Sequence, residues 1–165
     1  MKKKLWVVLA SLMMLAVVVL PVYAETPWTA VVGTSTWVST LPGGSERFSK
    51  DFTMWFGRNL RERYRVVMND ERLTGTMIHT YSGNLHVADD PEVVVYGPLY
   101  GSIYLSNDGG YWEGRTAGLR TEQGYNYAHS VLHGHGDYEG LIAHLYHTRE
   151  TTGLYDVIMV HGFVK

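Results

Sequence analysis

The sequence predicts an all-β protein, a single antiparallel barrel of eight or nine strands behind a cleaved secretory leader. Three observations carry that reading. β-Branched and aromatic residues recur in short runs beyond residue 24, and nowhere there do apolar residues hold an i, i+3, i+4, i+7 pattern for more than two turns. Glycine-containing clusters punctuate those runs, supplying the positive-φ positions that tight hairpins need. No crossover helix is visible, so consecutive antiparallel strands with short links must close on themselves or stack as a sandwich. Of the two, the barrel is the expectation developed here.

The leader comes first. Lys2, Lys3 and Lys4 precede an apolar run from Leu5 to Leu20 whose only polar member is Ser11, and Pro21-Val22-Tyr23-Ala24 follows. This is the pattern of a signal peptide spanning 1–24 and cleaved after Ala24, with small residues where the peptidase reads. The alternative is an uncleaved anchor, for which the run is a little short of the roughly 20 residues of a membrane span. Either way the domain, 25–165, is expected outside the cytoplasm, secreted or periplasmic. The chain has no cysteine, which rules out disulfides, a thiol nucleophile, a Cys-ligated zinc and a lipidated cysteine. Loss of the three leader lysines leaves 11 of the 14 basic residues against 16 acidic ones, a net charge of −5 that argues against nucleic acid as a partner. Membrane contact is expected only through the leader, if that is retained.

Strands are predicted in order at 28–38, 48–56, 60–68, 72–80, 93–96 with 100–106, 111–118, 125–136, 141–148 and 154–164. Between them, turns are expected at Pro42-Gly43-Gly44, Gly57-Arg58-Asn59, Ser82-Gly83-Asn84, Asn107-Asp108-Gly109-Gly110 and Thr151-Thr152-Gly153. The one long connection, around Ala88-Asp89-Asp90-Pro91, is a candidate flap over a barrel mouth.

Three motifs stand out beyond residue 69. They are Asp70-Glu71-Arg72-Leu73-Thr74-Gly75-Thr76, Asn107-Asp108-Gly109-Gly110-Tyr111-Trp112-Glu113-Gly114 and Gly134-His135-Gly136-Asp137-Tyr138-Glu139-Gly140-Leu141. Together they resemble a family of secreted bacterial proteins of unknown function. The last is also similar to an element of the eight-stranded barrels of the allene oxide cyclase and dirigent type. The resemblance spans about residues 60–165 and departs from the pattern at Glu71, where proline is expected, and at His133 and His135. It implies a barrel and a structural role for Asp70, Arg72, Gly75, Gly110, Trp112, Glu113, Gly114, Gly134, Gly136, Tyr138, Glu139 and Gly140; it implies no catalytic residue.

Six of the eight histidines fall after residue 128, which raises the question of a metal. A four-residue turn at 137–140 would set His133 opposite His144 with His135 on the same face, a set able to reach one ion; a solvated, His-rich face is the plainer reading. A five-residue turn at 149–153 would set His161 opposite Leu141. That puts His147 and His161 on the buried face with Leu132, Ala143, Leu145, Met159 and Phe163, either as hydrogen-bonded core histidines or as polar handles in a ligand cavity.

The remaining candidates have structural readings. Glu113 and Glu139 share a Gly-x-aromatic-Glu-Gly setting and are read as satisfying turn amides rather than as a glycosidase pair. Gly134, Gly136 and Gly140 precede no helix, so a bulge or close backbone approach accounts for them better than a phosphate loop. Arg61, Arg63 and Arg65 alternate with Leu60, Tyr64, Val66 and Met68, giving a positive row that could hold an anionic ligand or simply protect a sheet edge.

The function expected from this is binding of a small apolar or amphipathic molecule inside the barrel, with no cofactor, His147 and His161 as contacts and the Arg row as a secondary site. The alternatives are a barrel enzyme of the cyclase or isomerase type, or a structural protein without a cavity. A cavity holding a buried, unpaired His or Glu with a shifted pKa would favour the enzyme, and a wholly apolar cavity a carrier.

Overall fold

The computed structural model describes residues 27–87, 95–122, 126–149 and 157–165. The leader, the segment around Ala88-Asp89-Asp90-Pro91 and the turn at Thr151-Thr152-Gly153 lie outside them. Nine strands form among the described residues: β1 (Thr29–Leu41), β2 (Ser45–Phe48), β3 (Met54–Met68), β4 (Gly75–Val87), β5 (Val95–Asn107), β6 (Gly110–Arg120), β7 (Asn126–Gly136), β8 (Ile142–Arg149) and β9 (Val157–Val164). Each strand from β3 to β9 pairs antiparallel with the next, β9 pairs with β1, and β1 pairs with β3. Eight strands thereby close into a barrel, and no edge is left among them. The all-β barrel is what the sequence predicts.

The ninth strand is a continuation. β1 lies along β3 from Gly33 opposite Met68 to Leu41 opposite Arg61, and β2 takes over from Ser45 opposite Arg58 to Phe48 opposite Trp55. Pro42-Gly43-Gly44 is therefore a bulge in one continuing direction, with Gly43 and Gly44 at φ 108° and 80°, and not the expected hairpin. The reversal comes inside the segment expected as a single strand, 48–56. There Asp51 accepts from Ser49 Oγ (2.5 Å), Thr53 Oγ1 (3.0 Å) and Thr53 N (3.3 Å), and Phe52 takes φ 59°.

Two more expected turns are strand interior. Gly57-Arg58-Asn59 is a bulge within β3, with Asn59 at φ 51°, and Ser82-Gly83-Asn84 runs straight through β4, where Ser82 Oγ accepts from Asn59 N (2.9 Å). The bulge switches which alternate residues point inward, so that Trp55 before it and Leu60, Glu62, Tyr64 and Val66 after it all face the interior. The first three residues of the strand expected at 72–80 belong partly to a single 3-10 turn, Glu71–Leu73, capped by Asp70 accepting from Arg72 N.

One end of the barrel is sealed by the three motifs. Asp70 and Arg72 form a bidentate pair (2.7 and 3.0 Å), which holds the Asp70 carboxyl below the usual range. The Arg72 carbonyl accepts from Trp112 Nε1 (2.7 Å) and Asn107 Nδ2 (3.2 Å); Asn107 also donates to Thr74 O (2.9 Å) and accepts from Tyr138 Oη (2.6 Å). Trp112 is fully buried and stacks on Tyr138. Gly134 is required because a Cβ there would press into Tyr138 Cβ at 2.7 Å, and Gly136 sits at φ 73°. Around this plug Val31, Leu73, Leu105, Leu132, Ala143 and Val164 form a dry core.

Two register expectations are corrected. Tyr138 turns into the barrel, so the β7–β8 connection consumes more than four residues, and Val131 rather than His133 lies opposite His144. Between β8 and β9, Thr148 lies opposite Met159 and Tyr146 opposite His161. That is an odd displacement from the expected register, and it reverses every face of β9. Val160 and Val164 are buried, while Met159, His161 and Phe163 face out.

Candidate functional site: the barrel interior

Above the sealed core the same strands enclose a cavity of about 440 Å³. Its apolar wall comes from Trp55, Met77, Leu85, Val95, Ile103 and Ile158, inward-facing residues of β3, β4, β5 and β9. Alternation along the strands brings polar side chains to the same wall. Glu62 follows Leu60 on β3, His79 follows Met77 on β4, and Thr116 and Arg120 fall on the inward face of β6 with Trp112.

Glu62 is held by two phenols. Tyr64 Oη donates to it at 2.5 Å and Tyr81 Oη at 3.2 Å. Burial, and then the Glu62 charge, push both tyrosine pKa values well above their ordinary range. The phenols therefore remain donors across the working pH range.

The two inward histidines differ. His147 is buried and its Nε2 shares a hydrogen bond with Ser130 Oγ (3.0 Å), itself fully buried. His79 lines the cavity with its Nε2 buried and without a hydrogen-bond partner. Burial lowers both pKa values to about 4, with His147 further lowered by the charge of His79, so both rings are neutral at pH 7. A neutral imidazole nitrogen without a protein partner is a vacant hydrogen-bonding position in a preformed cavity.

Of the residues singled out in the sequence, His147 is thus inside. His161 is not: it stacks on Tyr146 on the outer surface, because the β8–β9 register differs from the expected one. Arg61, Arg63 and Arg65 point outward, away from the cavity. They protect no edge, since β3 is paired on both sides; they sit opposite β1 and β4 on the outer face of a closed barrel.

The proposed metal set is not assembled. His144 Nδ1 lies 3.3 Å from His129 Nε2, His133 faces solvent, and His135 sits between Glu113 (3.4 Å) and Glu139 (3.6 Å) while stacking on Tyr111. Among the described residues no three His, Asp or Glu side chains converge on one point. Glu113 and Glu139 accordingly share one histidine, rather than the turn amides expected for them. Asp70, Arg72, Gly75, Gly110, Trp112, Gly114, Tyr138 and Gly140 belong to the sealed end or its turns, remote in role from the cavity.

Sequence reasoning missed Glu62, His79, Tyr81, Arg120 and Arg149. The signal for Glu62 was present: an acid at the inward parity between Leu60 and Tyr64. Arg120 was missed because β6 was expected to stop at residue 118. Compared with family models, curated proteins and solved structures, the chain matches none.

Proposed function

We propose that the barrel binds a small amphipathic molecule in its interior. The observation that carries this reading is a preformed cavity of about 440 Å³ whose wall is largely apolar. Apolar surface supplies the driving force and the few polar groups fix orientation, which is the usual composition of a small-molecule site. The test is thermal unfolding with decanol, a generic amphiphile. It is expected to raise Tm by mass action in the wild type and not in Ala128→Phe, whose ring would fill space beside His147. No rise in the wild type contradicts the proposal.

A second reading, an enzyme of the cyclase or isomerase type, is favoured by His79, whose buried Nε2 is unpartnered and whose pKa is lowered by burial, and by Glu62 with its two phenols in the same cavity. Such a site orients a substrate and stabilises charge that develops on it. Its test is recovery of a co-purified ligand whose structure changes on incubation with wild type and not with Glu62→Gln. We also place the site of action outside the cytoplasm, on the strength of the leader pattern; intact-mass measurement of protein from its host is expected to give an N-terminus at Glu25.

A further inference from the structure

We propose that Arg120, Asn126 and Arg149 form an anion-binding position at one end of the cavity, and that the molecule bound there is an apolar organic anion. This rests on the cavity reading above and specifies its ligand. The three residues are consecutive in one cross-strand row: Arg120 of β6 lies opposite Asn126 of β7, which lies opposite Arg149 of β8. Side chains in such a row project to the same side of the sheet, and all three line the cavity. They stand at the opposite ends of their strands from the sealed plug, since β6 begins and β7 ends there.

Two guanidiniums held near one another call for a counter-charge, and none is paired with them among the described residues. Neither arginine has an ion pair among the described residues, and Arg120 Nε is buried without a hydrogen-bond partner. The two carboxylates that line the same cavity are engaged elsewhere, Glu62 with Tyr64 and Tyr81, and Glu46 with Trp55 Nε1 (3.2 Å). Burial and then the charge of Arg149 hold the Arg120 guanidinium below its ordinary pKa, consistent with two like charges facing an unfilled space. A planar fork of N–H donors suits a carboxylate or phosphate, and Asn126 adds an amide donor between the forks. Beyond the head, the apolar wall around Trp55, Leu85 and Ile103 accepts the rest of the molecule.

The experiment is calorimetric titration of the full chain with three probes: decanoate, decanol and acetate. Decanoate is expected to bind at least tenfold more tightly than decanol, and acetate at least a hundredfold more weakly than decanoate. Arg120→Met and Arg149→Met are each expected to weaken decanoate about tenfold while leaving decanol unchanged, and the unchanged decanol affinity shows that the variant is folded. Equal affinity of wild type for decanoate and decanol, or an equal loss for both probes in both variants, overturns the anion position and leaves the cavity reading standing. Acetate as tight as decanoate overturns the apolar part of the ligand. Failure of both ten-carbon probes to bind overturns the two readings together.

Discussion

The two ends of this barrel are built from the same strands and solve opposite problems. At the sealed end inward positions carry Trp112, Leu105, Leu132, Ala143 and Val164, all essentially inaccessible, and the Trp112, Asn107, Tyr138 and Asp70 side chains of the plug are all hydrogen-bonded. At the hollow end the same alternation delivers Glu62, His79, Arg120 and Arg149, with the His79 and Arg120 nitrogens left unpartnered and about 440 Å³ unfilled. Packing at one end stabilises the fold without any disulfide. That leaves the other end free to hold polar groups whose burial opposes folding. The comparison locates stability and candidate function in different halves of each strand.

The largest effect that would break this comparison is at Trp112. Trp112→Ala removes a fully buried ring and orphans the Arg72 carbonyl, and is expected to cost about 3–5 kcal/mol in denaturant unfolding. A cost within 1 kcal/mol would mean the plug does not hold the barrel.

The hollow end has its own signature in pH. His79 and His147 titrate near 6.5 in the unfolded chain and near 4 in the folded one, so between those values the unfolded state binds more protons. Stability is expected to fall by about 5 kcal/mol as pH drops from 6.5 to 4, about half of it from each histidine, and the loss from these two groups levels off below pH 4. A His79→Phe variant is expected to show a shallower fall over the same window in chemical denaturation.

A matched pair of enlargements sharpens the contrast. Ala143→Phe in the dry core is expected to destabilise by about 1–3 kcal/mol or more, whereas Ala128→Phe, facing the cavity, is expected to cost less than about 1 kcal/mol. Equal costs would mean the two ends are packed alike. The smallest effect is expected at the outward row: Arg63→Ser should change stability by no more than about 0.5 kcal/mol and leave decanoate binding unaltered.

These differences also show what a one-dimensional reading can and cannot reach. Alternation alone placed His147 inward and set the arginine row on the face opposite Tyr64 and Val66, because period-2 parity holds along an unbroken strand. Parity fails where an unseen residue intervenes. The bulge at Arg58-Asn59 and the long β8–β9 connection each shift the count, and the second turned His161 outward. The glycine clusters at 42–44, 57–59 and 82–84 misled because bulges and close approaches demand the same residue as hairpins. The three motifs were visible as segments, but their meeting around Asn107 and Trp112 depends on long-range pairing that no local pattern encodes. The cavity polar groups named above come from six strands, and only their assembly makes a site.

The central claim is that the hollow end holds a small molecule. Native mass spectrometry of the protein purified from its own host tests it most directly. The prediction is a one-to-one non-covalent complex, with the added mass released on collisional activation and carrying an acidic group. A native spectrum showing only the mass of the bare polypeptide contradicts it.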